Sequence, residues 1–184
     1  MRKRVAAAAM LVLLLAGCGS TDTASSSKES RSKMNMQEAA DKADAILDET
    51  FATIKPPVQW THTYSMPGDC YVDRERSVMT IISTERRGSF LGLLERHWKS
   101  KGYKLVATSQ NGLAANFETQ DGFQLEVLIG TTGQAHVSVT TPCVEKSEVA
   151  PPTSTPNGPD YSKQKLPAPN VKSTFWSSDA PVSS

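Results

Sequence analysis

The chain has 184 residues, with 20 lysines and arginines against 19 aspartates and glutamates, and it contains three cysteines. A net charge so close to zero gives no electrostatic attraction toward nucleic acid, which excludes that class of partner. Leaving out the three basic residues at the N-terminus changes the balance to 17 against 19, so the exclusion holds for a processed chain as well.

The N-terminal segment has the features of an export signal. Basic residues from Arg2 to Arg4 precede an apolar run that extends to Leu15, and such residues hold this end on the cytoplasmic side during export. The apolar run is far shorter than the roughly 20 residues that span a bilayer. Two small residues then lead to Cys18. Residues 1–17 are therefore predicted to be a signal peptide.

The stretch Leu15-Ala16-Gly17-Cys18 resembles the lipobox of bacterial lipoproteins. The resemblance implies that the thiol of Cys18 receives a diacylglyceryl group and that cleavage occurs on its N-terminal side. Two acyl chains anchor a protein stably, whereas one binds membranes only marginally. The expected location is the extracytoplasmic face of the cell membrane, with the membrane itself as a partner. The alternative is an ordinary secretory signal in which Cys18 is incidental.

The other two cysteines, Cys70 and Cys143, are predicted to form a disulfide, because two remaining cysteines in an oxidising compartment most often pair. A metal site is the alternative, but neither cysteine has a second Cys or a His at ligand spacing. No metal and no cofactor is therefore expected.

Residues 19–33 contain no apolar residue larger than alanine, so residues 18–35 are predicted to be a lipidated cysteine followed by a disordered tether. Order is expected from Met36. Apolar residues then recur at steps of three and four from Ala40 to Ile54, which predicts a helix. Pro56 and Pro57 end it, because proline lacks a backbone donor.

Residues 59–65 alternate, which predicts a strand with Trp60, His62 and Tyr64 on one face. This face either packs in the sheet, the favoured interpretation because aromatic residues are common on strands, or lines a ligand groove where no helix covers it. The polar residues 66–76 are predicted to be a loop. Residues 78–84 are apolar on both faces, so they are predicted to be a central strand.

A second helix is predicted from an N-cap at Ser89 to about Lys101, with Gly102 ending it. This region carries a basic surface that includes Arg96 and Lys99. One interpretation is an ordinary solvated helix face. The other is a cationic surface that meets anionic lipid or wall polymer.

Four further strands, separated by turns at Asn111-Gly112, Asp121-Gly122 and residues 131–133, complete the pattern. The sequence thus predicts an α+β domain at residues 36–144, with an antiparallel sheet of about six strands and two helices on one face. Residues 145–184 are rich in Pro, Ser and Thr without apolar periodicity, which predicts a disordered tail. Phe175-Trp176 is its one apolar pair.

No catalytic residue is predicted, because His62, His97 and His136 stand outside any recognised catalytic motif. Two functional classes stay open. One is a lipid-anchored binding module of the cell envelope that presents the Trp60–His62–Tyr64 face, or the surface of Arg96 and Lys99, to an envelope protein or wall polymer. The other is an enzyme with a site in the sheet face. The layout is similar to small actinobacterial surface lipoproteins without characterised activity, which favours the binding module.

Overall fold

The structure is a computed structural model, and it describes residues 34–159, 161 and 164–181. The predicted signal peptide, Cys18 and the predicted tether up to residue 33 lie outside the described residues. The elements in chain order are α1 (Met36–Ala52), β1 (Trp60–Pro67), β2 (Val72–Val78), α2 (Thr84–Ser100), β3 (Lys104–Thr108), β4 (Ala114–Glu118), β5 (Gln124–Ile129) and β6 (Ala135–Thr140).

The six strands form one sheet in the order β1-β2-β6-β5-β4-β3, and every neighbouring pair is antiparallel. Helix α1 packs over β2 and β6, and α2 packs over β3, β4 and β5. The predicted α+β fold, with a six-stranded antiparallel sheet and two helices on one face, is confirmed.

Helix α1 begins with a capping box. The side chain of Asn35 accepts a hydrogen bond from the backbone N–H of Glu38, and the Glu38 carboxylate accepts one from the backbone N–H of Asn35. This exchange satisfies two donors that a helix start would otherwise leave unpaired. Its apolar stripe, including Ala39, Ala43 and Leu47, is buried against the sheet.

The sheet has two unlike faces, because successive side chains of a strand point to opposite sides. The face toward the helices supplies the core through residues such as Leu125, Val127, Val137 and Val139. The second face points away from both helices; Thr61 and Ser77 are buried toward its β1 end, and the residues of β5 and β6 on it are exposed or half-buried. We call it the open face; its central residues are Glu75, Glu126, Leu128, His136 and Ser138.

Strand β2 lies where the sequence predicted a polar loop at residues 66–76. Asp73 to Ser77 pair with β1 on one side and with β6 on the other, and the side chains of Arg74 and Arg76 are buried. The predicted central strand at residues 78–84 is wrong, because the chain leaves the sheet after Val78. Val78 and Ile82 belong to the main core nonetheless, and the backbone between them pairs with the segment that follows the last strand, where Val171 accepts a hydrogen bond from the N–H of Ile81 (2.8 Å).

Helix α2 begins at Thr84 with Ser83 as N-cap, so the predicted N-cap at Ser89 is wrong. Ser83 makes no side-chain capping bond to the helix, and its hydroxyl donates to the carbonyl oxygen of Ser178. The C-terminal end follows the prediction, because Gly102 has a φ of 78°, which glycine adopts without a Cβ clash.

The described residues after Cys143 pack on the domain, so the prediction of a disordered tail is wrong for them. Trp176 is 1% exposed, and its ring centroid lies 5.3 Å from that of Phe90 in the core. The carbonyl oxygen of Trp176 also accepts a hydrogen bond from the N–H of Ser83 (2.9 Å). A periodic pattern is not needed for this packing, since a single large ring fills a gap left by other elements.

The disulfide prediction is confirmed. Cys70 and Cys143 are joined across a sequence separation of 73 residues. The bridge connects the turn between β1 and β2 to the segment that follows β6.

Candidate functional site

The residues predicted to share one partner face do not form an exposed surface. Trp60 is 7% exposed, because α1 covers it with Phe51 at a ring-centroid distance of 5.4 Å. The His62 ring lies 5.0 Å from that of Trp60, on the same side. The strand register shifts between His62 and Tyr64, so the backbone of Tyr64 pairs with that of Glu75. Trp60 therefore fits the interpretation of this strand face as sheet packing, and the alternative of a free partner surface through Trp60 is wrong.

Two arginines of β2 lie buried beneath α1, and each faces an aspartate of that helix. Arg74 is 1% exposed, and its Nε lies 3.3 Å from Oδ2 of Asp44. Arg76 is 0% exposed, and its Nη2 lies 2.7 Å from Oδ1 of Asp48. We call Asp44, Asp48, Arg74 and Arg76 the buried arginine cluster.

Aromatic rings enclose the guanidinium group of Arg76. It lies 4.2 Å from the ring centroid of Trp60 and 5.5 Å from that of Phe51. A guanidinium is weakly hydrated and stacks on aromatic faces, which makes arginine the cation best suited to such a site. Trp60 thus contributes to the cluster as a wall and not as an exposed anchor.

The pKa values in the cluster reflect the loss of solvent. Burial raises the pKa of Asp44, and this effect outweighs the attraction of Arg74 and Arg76, which lowers it. Burial also lowers the pKa of both arginines, against the opposing attraction of the aspartates. A guanidinium nevertheless stays protonated in proteins. Buried charges of this kind are stable only when further hydrogen bonds satisfy them.

Part of the segment after β6 supplies those hydrogen bonds. We call residues 150–157 the strap. Arg74 Nη2 donates to the carbonyl oxygen of Ala150 (2.7 Å), and Arg76 Nη2 donates to Oγ of Ser154 (3.0 Å). Nε2 of His62 lies 2.7 Å from the carbonyl oxygen of Ser154. The strap therefore closes the cluster from the side of β1.

Asn157 holds the other end of the strap against β1. Its Oδ1 accepts a hydrogen bond from the backbone N–H of Trp60 (2.9 Å), and its Nδ2 donates to the carbonyl oxygen of Val58 (2.9 Å). This side chain reproduces the contacts that a neighbouring strand would make with a sheet edge.

The open face contains a second cluster of polar side chains, centred on His136. Nδ1 of this histidine lies 2.9 Å from Oε1 of Glu75 and 2.8 Å from Oγ of Ser77. Thr63 donates a hydrogen bond to the same carboxylate oxygen (3.0 Å). Burial raises the pKa of Glu75, but the hydrogen bonds and the attraction of His136 outweigh it and leave that pKa below its ordinary value.

The His136 cluster does not have the geometry of a hydrolytic triad. In a triad the serine and the carboxylate use opposite nitrogens of the imidazole, so that a proton can move through the ring. Here Ser77 and Glu75 both lie at Nδ1. The arrangement orients the His136 ring, but it does not activate Ser77 as a nucleophile.

The positive charge of the second predicted surface, at Arg96 and Lys99 on α2, is partly neutralised by an acidic neighbour. Arg96 is exposed, and Lys99 pairs with Glu95 at 3.1 Å. Two neighbouring basic residues serve the fold instead. The guanidinium of Arg86 lies 4.6 Å from the Phe175 ring centroid, and Arg87 donates to the carbonyl oxygen of Thr131. The structure thus separates this surface from Trp60 and His62, which lie beneath α1.

Sequence reasoning missed Arg74, Arg76, Ser154 and Asn157. The signal for the two arginines was the alternation in Asp73-Arg74-Glu75-Arg76, which has the period of a strand. Nothing in the sequence of the strap predicted its contacts, because they join residues separated by more than 70 positions.

Among the described residues, no group of three or more His, Cys, Asp and Glu side chains is placed to hold a metal ion. The helices in this part of the chain are too short or too polar to cross a bilayer. Comparison with family models, with curated proteins and with solved structures found no match to this chain.

Proposed function

We propose that the protein is a lipid-anchored, non-catalytic binding module of the cell envelope, attached through Cys18 and presenting the open face of its sheet to a partner. The anchor rests on the sequence Leu15-Ala16-Gly17-Cys18. The observation that carries the binding role is the open face itself, on which neither α1 nor α2 packs in the described part of the chain.

The open face offers contacts of two kinds. Leu128 is 45% exposed and lies directly across from His136 in the ladder between β5 and β6. Leu128 can give a partner an apolar contact beside the polar groups of His136 and Glu75, and interfaces combine contacts of these two kinds. Glu75 orients the His136 ring, so this ring can contact a partner without first losing rotational freedom.

Catalysis in the sheet face is the alternative. It would require a nucleophile or base with a free path to the reacting atom, in a concave site. The contacts of Ser77 and Glu75 at the same nitrogen of His136 argue against acyl transfer. We therefore place the open face among binding surfaces.

The anchor is tested by replacing Cys18 with serine. The protein should then fail to incorporate a radiolabelled fatty acid and should leave the membrane fraction or remain as uncleaved precursor. Continued labelling and membrane association would contradict the lipidation.

The binding surface is tested by crosslinking from single positions in intact membranes. A photoreactive residue at position 128 should capture an envelope component, and one at position 96, on the exposed face of α2, serves as the matched control. Leu128→Glu should remove the interaction at low and high salt alike. Capture from position 96 alone, lost at high salt, would place the partner on the basic helix surface instead.

A further inference from the structure

The strap lies in a groove between α1 and β1, and its residues are more exposed than those of the groove. All eight strap residues are exposed or half-buried, and three of them are prolines. The groove residues Trp60, Arg74 and Arg76 are buried. The strap therefore contributes many polar contacts and little buried apolar surface. Segments with this balance are the ones that open locally without global unfolding.

The groove contacts the strap through its main chain and through two side chains. At Ala150, the N–H donates to Oε1 of Gln37 (2.6 Å) and the carbonyl oxygen accepts from Arg74. Further along, the hydroxyl of Ser154 donates to Oδ2 of Asp48 (3.0 Å). This mode of contact, with main-chain hydrogen bonds and a few side-chain contacts, is how extended peptides are recognised.

The groove also keeps polar capacity that the strap does not use. In the described part of the chain, Nε of Arg76 and Oδ1 of Asp44 are buried without a hydrogen-bond partner, and Nε of Arg74 has only its ion pair with Oδ2 of Asp44. Buried polar atoms without partners are rare in folded proteins, because each one forgoes its hydration. The strap is thus an incomplete occupant of this site.

We propose that the groove between α1 and β1 is a peptide-binding site that takes an extended, proline-rich segment of a partner polypeptide, and that the strap occupies it when the partner is absent. The ligand carries a serine and, three residues later, an asparagine, at the positions of Ser154 and Asn157. Proline-rich segments bind at low entropic cost because they are already extended. The site is distinct from the open face and does not depend on lipidation of Cys18.

Two contacts outside the strap allow it to leave while its flanks stay attached. On the N-terminal side, the disulfide holds Cys143 to Cys70. On the C-terminal side, Trp176 is buried in the core. Displacement of residues 150–157 would therefore not release the rest of the segment.

The test uses a fluorescent peptide with the sequence of residues 147–159, SEVAPPTSTPNGP. In the full chain, Ser154→Ala with Asn157→Ala removes strap side-chain contacts and leaves the groove intact. This variant should bind the peptide about tenfold more tightly than the unchanged chain, whose own strap competes. The same two replacements in the peptide should abolish binding, and His62→Ala in the variant chain should weaken it.

Amide exchange gives an independent readout. The N–H of Trp60 donates to Asn157, so it should exchange faster in the variant and become protected again when the peptide binds. A second variant, with residues 150–157 replaced by Gly-Ser repeats of equal length, frees the groove completely. If this variant folds and does not bind the peptide, or if it fails to fold, the proposal is overturned and the strap is a fixed part of the domain.

Discussion

Trp176 gives the most direct test of the packing of the C-terminal segment. Its ring is 1% exposed and packs against Phe90, and its Nε1 donates a hydrogen bond to the carbonyl oxygen of Pro56 (2.6 Å). Trp176→Ala removes a large buried ring from the core and the hydrogen bond with it. The expected loss of unfolding free energy is about 3–5 kcal/mol, the range for such truncations.

Two further variants separate the contribution of ring packing from that of the hydrogen bond to Pro56. Trp176→Phe keeps most of the ring packing and loses the bond to Pro56, which should lower the unfolding free energy by about 1 kcal/mol. Phe175→Ala is the matched control, because Phe175 is next to Trp176 in the sequence but is 36% exposed. Phe175→Ala should lower the unfolding free energy by about 1 kcal/mol, through the lost contacts with the Arg86 guanidinium and with the edge of the Trp176 ring.

Urea unfolding measures these differences, and amide exchange locates them. In Trp176→Ala, the N–H groups of Ile81 and Ser83 should lose protection, since their acceptors are the carbonyl oxygens of Val171 and Trp176. If Trp176→Ala lowers the unfolding free energy by less than about 1 kcal/mol and leaves both amides protected, the Trp176 ring does not support the core.

Four other outcomes follow from the disulfide, the buried arginine cluster and the contact of Glu75 with His136. Replacing both Cys70 and Cys143 with serine should lower the unfolding free energy by about 4 kcal/mol, the chain-entropy value for a sequence separation of 73 residues. Urea unfolding measures this difference. Asp44→Ala leaves Arg74 buried without its counter-ion and should cost about 3–5 kcal/mol. Asp48→Ala also removes the counter-ion of a buried arginine, but Arg76 keeps the hydroxyl of Ser154 as an acceptor, and the Asp48 side chain is 54% exposed. The unfolding free energy should therefore fall by about 2 kcal/mol, less than for Asp44→Ala; equal losses would contradict the role given to burial. The pKa of Glu75 lies below its ordinary value of 4.5, so its contribution is present above that value and is lost as the pH falls through the folded pKa. Glu75→Gln should flatten the loss of stability on acidification below about pH 5, and an unchanged pH profile would contradict this.

The elements that the sequence predicted well have a regular apolar period and obvious ends. Strand β5 alternates cleanly between Leu125, Val127 and Ile129, and the turn before it contains Asp121-Gly122. Helix α1 has its stripe and its terminating prolines. In these segments local pattern and tertiary environment agree, so the sequence alone is sufficient.

Strand β2 shows why the remainder could not be predicted. The polar composition of residues 66–76, with turn residues at Pro67-Gly68, predicts a solvated loop, and an isolated arginine is expensive to bury. Arg74 and Arg76 are tolerated in the core only because α1 supplies Asp44 and Asp48 at the matching positions. That match depends on how α1 lies across the sheet, which periodicity does not specify.

For a similar reason, the sequence predicts only part of the candidate site. Alternation placed Trp60 and His62 on one strand face, and the structure places their rings side by side. Alternation does not say which face of a sheet a helix covers. Trp60 lies opposite Val78, a core residue, so the pairing of β1 with β2 decides that this face is internal.

The buried arginine cluster and the C-terminal segment depend on each other. Without the strap, Arg74 and Arg76 would lose Ala150 and Ser154 as acceptors, and without Trp176 the core beside Phe90 would be open. A fragment ending at residue 144 would thus expose charges and apolar surface that the whole chain buries. The folded unit therefore includes the described residues of the segment after β6, and the predicted boundary at residue 144 divides a single core. A partner of the open face therefore meets a sheet whose other side is covered by α1 and α2, whereas a partner of the groove must first displace the strap.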